Sequence, residues 1–590
     1  MEGKGETEPA MMDGEEDSRL LVPESSGARI VEKDVDDESV DEEQMKVSPF
    51  GMDLAKEIDK SQLFDVSSVR REVVTILKLG LPVSLSRLLS KSVSIVSLFF
   101  VGRWTNPERL AAAALAVSVA NVSGYSVMVG FMGGMNTLGG QAYGAEDYPS
   151  VGYNLQMALL LAFCTAIFPV SFTWLLSKPL LVAFGQEEDL AAQASIYLKV
   201  LIPSLFSYGF MQCIMIYLQI QSIVKPLSYT SMIIAAVNVP VNWLLVRQFG
   251  YLGGAISSSL ITTLNLMLLC GYVYFYKVYQ KTWYGFNIRY ALKSLKPMLM
   301  LSIGSLFMLA EWWASEITVL MSGMLGDNDD NHKSENELTL SAMAIFQNLN
   351  SLAFMIPLGV TMAIGIRVSN ELGAGNEVRA RRAAMVGICI AFSLTVIIGF
   401  FLYIFQNYIG AAFTKEQVLI DFVASLTWML VLYHCADGLC ASLSGVLSGS
   451  GRQRIGGICV IISYFVIGLP VSYVMAFRFG LGVKGLIIGR LAGKFCQFIL
   501  YGYIVFSMNW KQQVRRASAL VKSVSVLSQN RLEQDSSIEG NQRKAPAPAF
   551  SSVEDFGVEE NSSFDDDAND DDYDNDDVGD ELKGLLRNER

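Results

Sequence analysis

The stretch LMLSIGSLFMLAEWWASEITVLMSGML, residues 299–325, decides the fold. It has no Lys or Arg, and its only charges are Glu311 and Glu316. A bilayer core of about 30 Å is crossed by roughly 20 apolar residues in a helix. The stretch is long enough to span, and it does not alternate as a strand would. Eleven further runs resemble it. With residues 297–325 they lie near 74–101, 110–137, 154–176, 194–220, 226–246, 252–276, 338–366, 382–406, 421–447, 455–478 and 484–508. The fold class expected is an all-α membrane protein of twelve transmembrane helices.

Composition agrees. Of 590 residues 51% are hydrophobic and only 17% charged, and the net charge of −13 sits mainly in the ends. FDDDANDDDYDNDDVGDE, residues 564–581, has too little apolar surface to offset ordering entropy. Residues 1–71 and 509–590 therefore read as disordered acidic tails, the first with a short membrane-proximal segment. MEGKGETEPAMMDGEEDSRLL, residues 1–21, lacks a basic start followed by an apolar run, so no secretory leader is expected. The eight cysteines all fall in apolar runs without CxxC spacing, which reads as small buried side chains. No metal cluster, nucleophile constellation or phosphate loop is legible. Neither enzymatic activity, nor a cofactor, nor a nucleic-acid partner is expected.

Basic residues orient the chain. Lys277, Lys281, Arg289, Lys293 and Lys296 follow the sixth span, Arg367, Arg379, Arg381 and Arg382 surround the end of the eighth, and Arg452 and Arg454 follow the tenth. GDNDDNHKSENE, residues 326–337, is acidic. Even-numbered connections and both termini are expected in the cytoplasm. The two patterns EDSRLL (16–21) and ELKGLL (581–586) carry Leu20–Leu21 and Leu585–Leu586 as possible addresses for sorting adaptors. They suit a vacuolar or endolysosomal membrane, with the plasma membrane as the other location.

The chain repeats itself. GQAYGAEDY (140–148) and SNELGAGNE (369–377) follow the second and eighth spans, and an offset of 229 sets Gly144 on Gly373 and Gly209 on Gly438. An offset of 230 sets Pro240 on Pro470. Six spans per repeat put both halves into the membrane the same way, related by an axis along its normal. The halves are an N-lobe, 72–278, and a C-lobe, 297–508, joined by a cytoplasmic linker, 279–296. Parallel repeats of this kind build secondary transporters.

GQAYGA, EWWASE, MIPLG, RVSNELGAGN, DGLCASLSGVLSGSGRQ and GLPVSYVMAFRFGLGVKGL come in the order and spacing of the multidrug and toxic compound extrusion (MATE) family. The chain resembles its eukaryotic branch over most of residues 72–508. The resemblance implies a V-shaped pair of six-helix lobes. It also implies export of organic solutes in exchange for H⁺ or Na⁺, mostly H⁺ in eukaryotes. The expected partners are the bilayer and a small organic substrate, with the protein a monomer. A lipid or oligosaccharide flippase of the wider superfamily, or a channel, is the alternative.

The carboxylates fit that chemistry. A charge at a helix centre costs roughly 2.5–3.5 kcal/mol on insertion scales, so it is seldom idle. Glu311 is the first candidate for a site that holds a proton or a substrate. Asp437, sixteen residues before Gln453 as in the family, is the second. His434 lies three residues before Asp437 and could tune it, or be a hydrogen-bonded core histidine. Glu316 is about 140° around the helix from Glu311, and is expected as an interlobe or supporting partner. Trp312 and Trp313 either pack or offer a π face to a cation. Glu371, with Asn370, is expected as a gating or structural residue near Arg367. Pro240 and Pro470 could bend for rocking.

Three positions depart from the family. Asn136 stands where plant members usually carry an acid, and Asn348 where animal members do. The first span has Arg87 and Lys91 and no acid, whereas prokaryotic members commonly have an Asp there. Aligning Gly80 with Gly304 sets Arg87 opposite Glu311 in the repeat. Arg87, Lys91 and Asn136 are possible N-lobe substrate contacts. Alternatively, the basic pair meets an acid across the cleft or snorkels outward.

Overall fold

A computed structural model describes residues 65–325, 333–413 and 416–525. The acidic runs at both ends, both dileucine patterns and the acidic connection up to residue 332 lie outside them.

Twelve helices carry the molecule. The first half holds α1 (Val66–Trp104), α2 (Pro107–Gly144), α3 (Tyr148–Leu175), α4 (Glu188–Ile220), α5 (Lys225–Phe249) and α6 (Leu252–Phe275). The second holds α7 (Leu295–Ser322), α8 (Leu338–Gly373), α9 (Glu377–Ile404), α10 (Gln417–Gly449), α11 (Gln453–Arg478) and α12 (Gly482–Phe506). The first eleven are each long and apolar enough to cross a membrane. The 25 residues of α12 reach about 37 Å at ~1.5 Å each. Asp65 starts α1 by accepting a hydrogen bond from the Ser68 amide at 3.0 Å, and Asp147 starts α3 through Ser150. Large apolar side chains such as Phe99, Phe168 and Phe400 point outward, as a lipid solvent requires.

The halves meet through repeat-related pairs, α1 on α8 and α2 on α7. Ser84 of α1 donates to the Ile356 carbonyl at 2.7 Å, and Ser302 of α7 donates to that of Phe131 at 2.6 Å. At the end carrying the basic connections the two GA motifs touch each other. A Cβ on Gly144 would overlap the Asn370 carbonyl, and one on Gly373 would overlap the Gln141 carbonyl. Both pairs follow from the 229-residue offset, so the contact straddles the pseudo-two-fold axis.

Several boundaries need correction. The C-terminal tail does not begin at 509, because Trp510–Val524 forms α13, bent 84° from α12. Trp510, Gln513, Ala517 and Val524 are buried while Lys511, Gln512 and Arg515 face out. That helical spacing is legible only over a short window. Helix α13 packs on α8, α9 and α2, and so touches both halves. The first span begins at Val66, ahead of the expected boundary at 72, and the linker holds a helix at Ile288–Lys293. Cys164, Cys270 and Cys389 are exposed rather than buried. The proline pair is also unequal. Helix α5 stays α-helical through Pro240, whereas Pro470 of α11 lies between two π-helical stretches, Ile461–Gly468 and Val474–Arg478.

Candidate transport site

Helix α7 is interrupted at Leu309, between Leu295–Met308 and Ala310–Ser322. The break places Glu311 in the first turn of the second piece, facing α12. There Lys494 Nζ donates to Glu311 Oε1 and Oε2, both at 3.1 Å, and stands 2.8 Å from Asp437 Oδ1 of α10. Gln497, one turn further along α12, donates to Glu311 Oε2 at 3.0 Å and accepts from Lys494 at 3.2 Å. Asn350 of α8 donates to Asp437 Oδ2 at 3.2 Å. Side-chain exposure is 0% for Lys494, 6% for Asp437 and 16% for Glu311. Ionised, the three groups sum to one negative charge, so a single proton or a single cation neutralises the cluster. Rings close it off: Lys494 Nζ lies 5.4 Å from the Tyr464 centroid and 5.8 Å from that of Tyr433.

Arg490, one turn before Lys494, lies over Tyr433 at 4.7 Å and donates to Ser315 Oγ at 3.2 Å. Arg490 and Lys494 were legible in GLIIGRLAGKFCQFIL, because two cations four residues apart inside a span cost as much as the acids. The sequence analysis weighed the carboxylates and the cations of the first span and passed over this pair in the last.

A cavity of about 520 Å³ between the halves is lined by Glu311, Glu316, Asp437 and Arg490 from the second half and by Arg87 and Lys91 from the first. Trp312, Trp313 and Asn136 line it too. Trp312 is 37% exposed, and Trp313 donates to Ser126 Oγ of α2 at 3.1 Å. Glu316 lines the cavity within electrostatic reach of Lys91 and Arg490. His434 does not join the site. It is fully buried off the cavity lining, and among the described residues neither ring nitrogen has a hydrogen-bond partner. The expected His434–Asp437 pair is therefore not made, because Asp437 turns to Lys494 and Asn350 instead.

Away from the cavity, Arg367 of α8 holds Glu371 at 2.6 Å and also Glu72 of α1, at 2.8 and 3.1 Å. Asn370 donates to the Ile220 carbonyl at 3.0 Å. Arg367 and Asn370 thus tie the halves together at the end that carries the basic connections. Sequence reasoning paired Glu371 with Arg367 but could not see Glu72, 295 residues away.

The MatE family model matches residues 82–244 and 305–474, once in each half. The chain belongs to the MATE family of transporters. Among MATE relatives, Protein DETOXIFICATION 16 of Arabidopsis thaliana is 36% identical over 78% of this chain and 93% of its own. Protein DETOXIFICATION 49 of the same plant is 32% identical over 77% and 89%. The eukaryotic MATE transporter AtDTX14 superposes with a TM-score of 0.72 at 30% identity, covering 76% of this chain and 99% of its own. An outward-facing multidrug resistance MATE transporter of the MOP superfamily, 18% identical, shares the fold at a TM-score of 0.65 over 78% and 98%. The protein is thus a multi-pass membrane transporter of two six-helix lobes and not an enzyme.

Proposed function

We propose that this MATE transporter exports organic solutes in exchange for protons, with the Glu311–Lys494–Asp437 cluster as the coupling site. The observation that carries the reading is the Lys494 ammonium held between two buried carboxylates. Ionised, the cluster keeps one net negative charge in a low-dielectric wall, a strong attraction for a proton or a cationic group. Lys494 offsets one charge and holds both carboxylates in place, so one proton completes the neutralisation. A ligand moves the lobes only by binding one arrangement better than the other. Protonating Glu311 loosens its grip on Lys494 and Gln497, and so changes the tie between the second piece of α7 and α12.

Lys91 and Glu316 line the cavity, while Glu72–Arg367 and the Gly144–Asn370 contact hold the halves together at the basic end. With that end in the cytoplasm, this is the outward-open arrangement. The return stroke breaks those contacts and re-forms others beyond the cavity. The membrane is the vacuolar, endolysosomal or plasma membrane, with both termini in the cytoplasm.

Uptake into proteoliposomes under an imposed pH gradient tests the proposal. Wild type accumulates substrate when the gradient is present, and Glu311→Gln and Asp437→Asn abolish the gradient's effect. Gradient-driven uptake that survives both substitutions, or that follows Na⁺ instead, overturns proton coupling through this cluster.

A further inference from the structure

The cavity is chemically lopsided. Its acids, Glu311, Glu316 and Asp437, all belong to the second half, and the wall contributed by the first half has Arg87 and Lys91 and no acid. Lys91 faces Glu316. Arg87 faces no carboxylate: among the described residues it makes one hydrogen bond, from Nη2 to Gln212 Oε1 at 3.3 Å, and its buried Nε has no partner. A guanidinium has five N–H donors in a rigid fork. Most of this fork is unused, on a span where an unpaired cation is costly.

The surroundings look built rather than accidental. Gln212 is buried, and the hydrogen bond it accepts from Nη2 ties the guanidinium to α4, the helix that also carries Tyr208. Tyr208 and Tyr125 pack with centroids 4.7 Å apart, and both line the cavity. Ile234 and Ile261 continue the wall as apolar surface. A planar anion-binding fork, an aromatic pair and an apolar wall thus follow one another along one side of a cavity sized for a drug-like molecule.

We propose that Arg87 is the anchor of an organic-anion site in the first half, taking a carboxylate, sulfonate or sulfate ester carried on an aromatic body. The site rests on the export reading above and names its substrate class. The anionic group accepts from the Arg87 fork in the bidentate manner such groups favour, and the body lies along Tyr125, Tyr208 and the isoleucines. Cargo and proton then occupy opposite walls and do not contend for one group. Exchange of one monoanion for one proton moves two elementary charges in the same direction, whereas exchange of a monocation for a proton moves none.

The test uses the full chain in proteoliposomes, with p-aminohippurate and 4-methylumbelliferyl sulfate as anionic probes and tetraethylammonium as the cationic one. Wild type is expected to take up at least one anion above protein-free liposomes, faster when a valinomycin-imposed potential favours the charge movement. Arg87→Gln lowers the ratio of anion to tetraethylammonium uptake tenfold or more. Should Arg87→Gln fail to fold, Arg87→Lys decides: it keeps the charge but loses the fork, and raises the anion KM several-fold at similar kcat. No uptake of either anion by wild type, an unchanged ratio in Arg87→Gln, or an unchanged anion KM in Arg87→Lys overturns the site. Anion uptake that depends on Arg87 but ignores the pH gradient upholds the site and overturns only the proton reading.

Discussion

Arg367 of the second half grips Glu72 of the first through two parallel hydrogen bonds, Nε to Oε1 at 2.8 Å and Nη2 to Oε2 at 3.1 Å. The pair is mostly buried, with side-chain exposures of 18% and 10%, and it sits where the lobes are shut. Glu72→Gln removes the charge and leaves Glu371 as the remaining partner. Loss of a charge-assisted pair of this kind costs about 1.5–3 kcal/mol, or roughly tenfold or more in the balance between arrangements. Spin labels at Glu146→Cys and Asn376→Cys, on connections of opposite halves, are expected to show a larger long-distance population in Glu72→Gln. An unchanged distance distribution would mean that the pair is not what holds this end shut.

Lys494 is expected to be less replaceable than either carboxylate. Lys494→Met leaves Glu311 and Asp437 facing each other without a cation, and breaking a buried charge cluster in this way costs about 3–5 kcal/mol. The variant should melt well below wild type and lose gradient-driven uptake. Combining it with Asp437→Asn should recover part of the melting temperature and none of the transport, a non-additivity that a double-mutant cycle reads directly. Additive losses would place the stabilising role of Lys494 elsewhere.

The Gly144 and Gly373 contacts are related by the repeat, and their substitutions should resemble each other. Gly144→Val and Gly373→Val each push a side chain into the backbone of the other half. Overpacking of this sort costs about 1–3 kcal/mol. Separation of the lobes at this end relieves it, so both variants should lengthen the same label-to-label distance. A clear effect of one without the other would break the pseudo-symmetry of the contact.

Helix α13 is expected to steady the same seam. Trp510→Ala removes a side chain only 5% exposed, and such truncations cost about 3–5 kcal/mol where the site cannot collapse. Hydrogen exchange should speed up in α13 and at the neighbouring ends of α8 and α9. Exchange that accelerates in α13 alone would make it a passenger.

Much of this was legible in the sequence. Span length and the 229-residue offset are properties of continuous stretches, so the twelve helices and the two halves could be read without coordinates. Glu311 stood out because an acid near the middle of an apolar run is conspicuous. Lys494 is as conspicuous in its own span, but their pairing was not legible, because Lys494 lies 183 residues on and nothing local in α12 says which acid it serves. Glu72 was hidden for the same reason, sitting at the edge of its span where charges are ordinary. His434 shows the opposite failure. Proximity in sequence suggested a pair with Asp437, but the carboxylate found better partners on α8 and α12.

The lopsided cavity has an electrical consequence. Its positive wall and its acidic wall face each other across the gap between the lobes, so the field they set up runs parallel to the membrane plane. The transmembrane voltage acts at right angles to that field. A dipolar cargo is therefore turned and held by the protein's own charges, with little work done by the voltage while it settles. The voltage acts when the loaded lobes rock, so initial binding should be nearly indifferent to membrane potential even where turnover depends on it.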